Sequence, residues 1–321
     1  MSKERNYIFD ALKFVCAFFV VTFHAHPSYR EIIKPFLRCA VPLFFMISGY
    51  FLYTNEKFGE RLLKSIKKIF KIFFFVLILF SVLFPLTLKC GLEQPLKWID
   101  LPEFILTNDV PIAYHLWYLP AFIYVLAITY LVDKWGKLRW MFPLSLIVFC
   151  IYLLGAYSSM LIFGYKVPAP VWRNFLFVGI PFFSIGMYLK QHETYLREKA
   201  NLKLYLLGGI SILMSYAEWE MTSLYGAYFP YYLGTILLTI TIFVFCMTHS
   251  LKIQNTIAKL GYEYSLLIYL LHPIIIYPFK YYEKYVSNGV AITLYHYTSP
   301  VIVTLLTIGL IYLLKKFFRG L

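Results

Sequence analysis

Charge is what this sequence has least of. Asp, Glu, Lys and Arg make up 14% of its 321 residues, where soluble domains carry roughly 25%, and acids are the scarcer sign, 16 against 30 bases. A chain so poor in charge does not cover an ordinary water-facing surface. Cysteine is scarce too: Cys16, Cys39, Cys90, Cys150 and Cys246 are odd in number, sit mostly inside apolar runs and lack the paired spacing of a zinc site. They read as packing residues, which argues against a disulfide framework and leaves no metal cofactor expected. No small-residue cleavage site follows the first apolar run, so no cleavable leader is expected. Neither an internal repeat at a period of roughly 20–50 residues nor a low-complexity linker is visible, so the expectation is one domain over 1–321 with no soluble domain after the last apolar run.

What is abundant is apolar. Hydrophobic residues make up 60% and aromatics 21%, with a mean hydropathy of +0.68. The fold class this implies is all-α and polytopic, with the lipid bilayer as the first partner. The net charge of +14 would suggest nucleic acid in a soluble protein; in a membrane chain the placement of the charges matters more, and no nucleic-acid partner is expected. The 29 Tyr and 31 Phe mostly pack spans and form interfacial belts.

Apolar runs between charged or turn-rich breaks place spans near 7–25, 35–54, 70–88, 112–132, 139–157, 171–189, 203–218, 228–247, 261–279 and 299–315, about ten in all. With both termini cytoplasmic, twenty Lys and Arg fall on that side and eight on the other, leaving Lys13 and Arg38 inside spans. The asymmetry follows the positive-inside rule. The expected location is multi-pass in a cell membrane, of the bacterial plasma or inner-membrane type.

The segment DALKFVCAFFVVTFHAHP, from Asp10 to Pro27, places ionisable groups in a membrane-grade run. Such groups cost a few kcal/mol each in hydrocarbon and persist where they pair or act. Lys13 and His24 are eleven residues apart, three helical turns, so both face one direction about 16 Å apart. Asp10 precedes Lys13 by three residues and can pair with it. Imidazole exchanges a proton near neutral pH, which suits a general base. From the expected directions of the spans, His24, Arg38, His115, Trp117, Arg173 and Glu218 share the outer depth and His272 lies midway along its helix, a grouping that reads as a polar cavity open to the outside. The plainer readings stand beside this: Arg38 can snorkel, His115 and His272 can be core or interfacial, and His26, His192, His249 and His296 read as interfacial. The run Glu60 to Lys71, with Lys64, Lys67, Lys68 and Lys71, is first a topology signal; it can also hold an anionic cofactor such as a nucleotide or CoA.

Taken in order, these segments resemble the integral-membrane acyltransferase family 3, whose members typically O-acylate carbohydrates. The pattern of a basic residue, ten residues and a histidine matches Lys13 and His24. RCAVPLFFMISGYFLY from Arg38 is similar to the family's proline, paired-aromatic and Ser-Gly segment; HLWYLPAFIY from His115, WRNFLFVGIPFFSIGMYL from Trp172 and YSLLIYLLHPIII from Tyr264 resemble later elements. Lys13 departs from the commoner arginine and cannot make the same forked contacts. No fused esterase-like domain is expected. The Arg-Asn start and GIPFF run also resemble the membrane domain of serine racemases from vancomycin-resistance systems, a relative thought to handle an amino acid.

The resemblance implies acyl-CoA, acetyl-CoA first, as donor on the cytoplasmic side, and a hydroxyl of an extracytoplasmic or lipid-linked carbohydrate as acceptor. It makes His24 the acid/base or transient acyl-accepting residue, with Lys13 and Asp10 beside it in the catalytic set. Lys13 and Arg38 stabilise anionic groups, and Ser48, His115, Trp117, Arg173, Glu218 and His272 join Arg38 as substrate contacts. Lys64, Lys67, Lys68 and Lys71 are the donor-binding candidates. The alternative is a transporter or flippase for a small polar solute, such as an amino acid, or a polysaccharide, using the same cavity. A structural or sensory membrane protein is a third reading, which gives the outer cluster no purpose.

Overall fold

The computed structural model describes residues 6–89, 101–164, 167–199, 202–224, 229–283, 285 and 289–319. Cys90 and, of the cations counted above, Lys3, Arg5, Lys97, Lys166 and Lys284 lie outside them. Among the described residues every regular element is helical: α1 (Ile8–Ala25), α2 (Arg30–Leu37), α3 (Ala40–Leu52), α4 (Phe58–Lys89), α5 (Leu101–Thr107), α6 (Tyr118–Lys134), α7 (Met141–Leu161), α8 (Ala169–Trp172), α9 (Ile180–Gln191), α10 (Glu193–Lys199), α11 (Leu202–Leu224), α12 (Leu233–Thr248), α13 (Thr256–Glu283) and α14 (Gly289–Arg319). Short 3₁₀ turns lead into α6 and α7, and a π turn over Phe175–Gly179 leads into α9.

Each of the ten expected spans overlaps a helix among the described residues, several of them only in part. Seven stretches are long and apolar enough to cross a membrane by length and composition, and Phe175–Gln191 and Leu233–Thr248 are shorter apolar helices. Boundaries differ where charge interrupts hydropathy without interrupting helical hydrogen bonding. Thus α4 starts at Phe58 and carries Lys64, Lys67, Lys68 and Lys71 within it, since Lys and Leu are good helix formers. The expected span over 171–189 is instead broken at Arg173 and Asn174, where an asparagine side chain replaces backbone bonding.

The chain divides into two compact units interleaved in sequence. The first comprises Met1–Ala40, Leu83–Pro95 and His249–Leu321; the second comprises Val41–Val82 and Leu96–Thr248. In the first, α1 packs most extensively on α13. A Cβ at Gly261 would collide with the Asp10 carbonyl oxygen, so the two backbones approach as only glycine allows. Asp10 faces Gly261 and His24 faces His272, so α1 and α13 run in the same direction. α14 returns against α13, with Phe279 stacked on Tyr295 at one end and Lys315 over Tyr264 at the other.

In the second unit α3 meets α9 through glycines on both sides, Gly49 against the Phe183 carbonyl and Gly186 against that of Met46. Phe45 of α3 packs on Tyr118 and Phe122, and Gly59, at the start of α4, lies by Tyr130 and Asp133, so the chain from α3 to the start of α4 follows the direction of α6. α7 opposes α9, from Phe142 with Tyr188 to Phe149 with Phe182, and α12 opposes α11.

Candidate functional site

In the first unit the sequence stripe is in place on α1. Lys13 Nζ donates to Asp10 Oδ1 at 3.0 Å, and the Asp10 side chain is buried while Lys13 remains half-buried. At the other end the His24 ring lies 5.3 Å from that of His272, centroid to centroid. The partner histidine is held by its own helix. Pro273 has no N–H to give the carbonyl four residues back, Tyr269, and that carbonyl lies 2.8 Å from His272 Nδ1, with Ile268 O at 3.1 Å. A carbonyl only accepts, so Nδ1 carries the proton and Nε2 of the neutral ring keeps a lone pair. His272 has no exposed surface. Such a residue is better placed to orient His24 than to receive a bulky acceptor.

Beyond His24 the chain turns through His26 in a left-handed conformation (φ 51°) into α2. Arg30 Nη1 meets His26 Nδ1 at 3.1 Å, and its guanidinium lies 4.4 Å above the Phe23 ring. His26 is exposed along one edge, yet the cover its ring does have, and then the charges of Arg30, Lys280 and Lys34, lower its pKa to about 4. Arg38 follows at the end of α2, its N–H donating to the Lys34 carbonyl at 3.1 Å.

The second unit holds the remaining expected contacts, in three groups. Trp117 and Arg173 come together, the guanidinium 5.2 Å from the ring centroid, with Asp109 Oδ1 3.6 Å from Arg173 Nη2. Burial raises the Asp109 pKa and Glu103 adds to it, while Arg173 opposes both. The arrangement rests on two asparagines: Asn174 Oδ1 accepts from Leu176 and Phe177 N–H at 2.9 and 3.1 Å, and Asn108 Oδ1 accepts from Phe175 N–H at 2.9 Å. They satisfy the start of the π turn, a local form frequent at functional sites. Arg173 Nε is buried without a hydrogen-bond partner among the described residues.

His115 is buried in the 3₁₀ turn ahead of α6, edge-on to Phe80 at 4.8 Å. Ser48 donates to the Phe44 carbonyl at 2.8 Å with the Tyr118 hydroxyl as hydrogen-bonding neighbour. Glu218 lies elsewhere in this unit and has a structural occupation. Oε1 accepts from Tyr157 Oη at 2.6 Å and Leu233 N–H at 3.2 Å, and Oε2 accepts from Gly234 N–H at 2.8 Å, capping the positive end of α12. Asn108 and Asp109 escape a reading by apolar runs; the polar pair between hydrophobic segments was their one signal.

Lys64, Lys67, Lys68 and Lys71 occupy one exposed stripe of α4, at the spacing of a single helix face. Beside the start of α4 a recess of about 500 Å³ opens between Tyr53, Lys57, Glu60, Asp133 and Leu138. Its carboxylates disfavour phosphate inside it, whereas the lysine stripe a turn further on does not. Among the described residues, no group of three or more His, Cys, Asp and Glu side chains could hold a metal ion.

A separate ionic knot locks α9 to α10. Lys190 Nζ donates to Glu193 Oε2 at 2.6 Å, and Arg197 Nε and Nη2 donate to Oε1 at 3.0 and 2.9 Å. Burial is the largest single influence on Glu193 and pushes its pKa up, but hydrogen bonds from Lys190, Tyr50 and Arg197 together outweigh it and hold the carboxyl at about 2. A lowered carboxylate contributes stability that is full above its unfolded pKa and is lost as pH falls through the folded one. Water screening limits that contribution to about 1–2 kcal/mol. We expect Glu193→Gln to lower the melting midpoint at pH 7 and to flatten its decline between pH 4.5 and 2; an unchanged profile would show that the knot carries no net stability.

Comparison with known proteins adds the following. The model of a family described as acyltransferase domain matches residues 6–314. A serine/alanine racemase of Enterococcus gallinarum is 26% identical over 344 aligned positions, covering 97% of this chain and 46% of its own length. Two amino-acid racemases of Enterococcus faecalis are 29% and 34% identical, covering 64% and 48% of this chain and 31% and 23% of their own. The chain therefore spans about half the length, or less, of the curated relatives it matches. No solved structure matches it.

Proposed function

The chain belongs to the acyltransferase-domain family, and from that premise we propose that it moves an acyl group, acetyl first, from acyl-CoA to a hydroxyl of an extracytoplasmic or lipid-linked carbohydrate. The observation that carries the chemistry is the His24 ring 5.3 Å from His272, whose protonated Nδ1 is fixed by Tyr269 and Ile268. His24 takes the proton of the acceptor hydroxyl, the hydroxyl oxygen attacks the thioester carbonyl, and the tetrahedral oxyanion collapses by breaking the C–S bond. The CoA thiolate then receives the proton from His24. Lys13, about 16 Å along α1 from His24, is too far to touch the same carbonyl. It serves the donor instead, with Asp10 positioning its ammonium. In the first unit Arg38 meets the acceptor, and in the second unit Ser48 shapes the packing near Tyr118.

The same reading places ten spans in a cell membrane with both termini on the cytoplasmic side. Packing directions support the count. With the seven long apolar stretches alone, four crossings would separate α1 from α13 and the two would run in opposite directions; including α9, α11 and α12 makes the intervening number odd, as their parallel packing requires. The parallel pair α3 and α6 and the antiparallel neighbours α7 and α9, α11 and α12, and α13 and α14 fit the same alternation.

A second reading takes its cue from relatives named for serine, alanine and amino acids: passage of a small polar solute such as an amino acid. Membrane vesicles carrying the protein, which retain native acceptors, separate the two when supplied with radiolabelled acetyl-CoA. Labelled carbohydrate that depends on the protein supports transfer; serine uptake without donor, and no labelled product, supports passage.

A further inference from the structure

Two loop corners of the second unit bring an acid and a base together without bonding them. The first corner ends α5. Asn108 N–H donates to the Phe104 carbonyl at 2.8 Å, and Asn108 then adopts a left-handed conformation (φ 60°), which asparagine tolerates better than most residues. The turn sets Asp109 N–H 3.3 Å from Thr107 Oγ1. The second corner ends α8, where Arg173 N–H donates to the Ala169 carbonyl at 2.8 Å, and α5 packs on α8. Asp109 Oδ1 and Arg173 Nη2 are left 3.6 Å apart, too far for a hydrogen bond. Both corners stand just ahead of apolar helix, Tyr114–Lys134 after one and Phe175–Gln191 after the other. Three atoms here have hydrogen-bonding capacity to spare: Asp109 Oδ1, Arg173 Nε and Asn108 Nδ2 are buried without a hydrogen-bond partner among the described residues. The Asn108 amide is not free to turn over. Its Oδ1 accepts from Phe175 N–H at 2.9 Å, so the other end is the donor. Asn108 has no exposed surface, whereas the Arg173 and Asp109 side chains are 27% and 15% exposed, so the charged pair is the edge that a ligand reaches. Trp117 attracts the guanidinium by its ring, 5.2 Å away at the centroid, and its indole accepts no hydrogen bond in return.

Two spare donors beside one spare acceptor, with a full charge on each side, call for a ligand of the reverse pattern. We infer that Asp109, Arg173 and Asn108 form the seat of a zwitterion, its oxyanion toward Arg173 Nε and Asn108 Nδ2 and its ammonium toward Asp109. A simple anion would be met by the Asp109 carboxylate, and Glu103 adds negative field on that side. A simple cation would be met by Arg173. A neutral hydroxyl suits either group, but its bonds are about half as strong as charge-assisted ones. The same chemistry has two sources beside the start of apolar helices: a free amino acid, or the headgroup of an ethanolamine phospholipid. The assignment concerns the second unit alone and stands whether or not acyl transfer is found.

The test titrates L-serine, glycerophosphoethanolamine, ethanolamine, lactate and glucose into the full chain in nanodiscs of phosphatidylglycerol, a lipid without an ammonium. A zwitterion is expected to bind saturably and about tenfold or more tightly than ethanolamine, lactate and glucose, and the tighter of the two names the source, solute or headgroup. Asp109→Asn, which keeps the shape and removes the charge, is expected to abolish that preference, while Glu56→Gln, at an exposed acid of the same unit, keeps it. No preference for either zwitterion in the wild type overturns the seat. Lactate or ethanolamine binding as well as the zwitterions overturns it too, since one charge then suffices, and tighter binding of glucose gives the cluster to a polyol. A preference that survives Asp109→Asn places the ligand elsewhere and overturns the assignment. If Asp109→Asn does not fold, Arg173→Lys decides: it keeps the charge but has no Nε, so zwitterion binding should weaken severalfold, and unchanged binding overturns the seat.

Discussion

His24→Ala should lower protein-dependent acyl transfer in membrane vesicles by about 10²–10⁴-fold, the range for loss of a general base, while the protein still folds and inserts. His24 sits at the end of α1 at intermediate exposure, so removing its ring empties no large core volume. His272→Ala should cost less in rate but should also move the pH–rate profile, because the ring packed 5.3 Å from His24 is gone. A merely structural His272 would change the rate without moving the profile. Full activity in His24→Ala would end this mechanism.

The largest stability effect is expected at Gly261. A side-chain carbon there overlaps the Asp10 carbonyl oxygen, which belongs to helix backbone and cannot swing aside. Gly261→Ala should therefore force α13 from α1 at a cost of about 1–3 kcal/mol or more, read as a lower melting midpoint in detergent. It should also spoil the register that brings His272 to His24, so acyl transfer falls with stability. Gly309→Ala is the matching control, since a Cβ there meets nothing within 4 Å and alanine favours a helix. Equal melting midpoints for the two variants would show that α1 and α13 are not locked as described.

Apolar runs made the helices legible because hydrocarbon demands continuous hydrogen-bonded backbone; charge made their ends illegible, as the lysines of α4 show. Within one helix side-chain geometry was legible too: Asp10 and Lys13 pair as a three-residue spacing allows. Between helices it was not. The meeting of His24 with His272 depends on the register set at Gly261, and nothing local to either histidine encodes that register. Arg30 and Lys34 read as outer-loop charges when hydropathy alone placed them; the fold shows that Lys34 is buried. The break at Arg173 was hidden because Asn108, far away in sequence, helps to stabilise it.

The most direct test of the central claim is calorimetric titration of acetyl-CoA into the purified protein, wild type and Lys13→Ala. Saturable binding in the wild type, weakened about tenfold when the ammonium is lost, is the predicted result, and it would place the donor on the α1 stripe. Absence of binding in wild-type protein shown to be folded would contradict the account and leave α1 as the lining of a solute pathway.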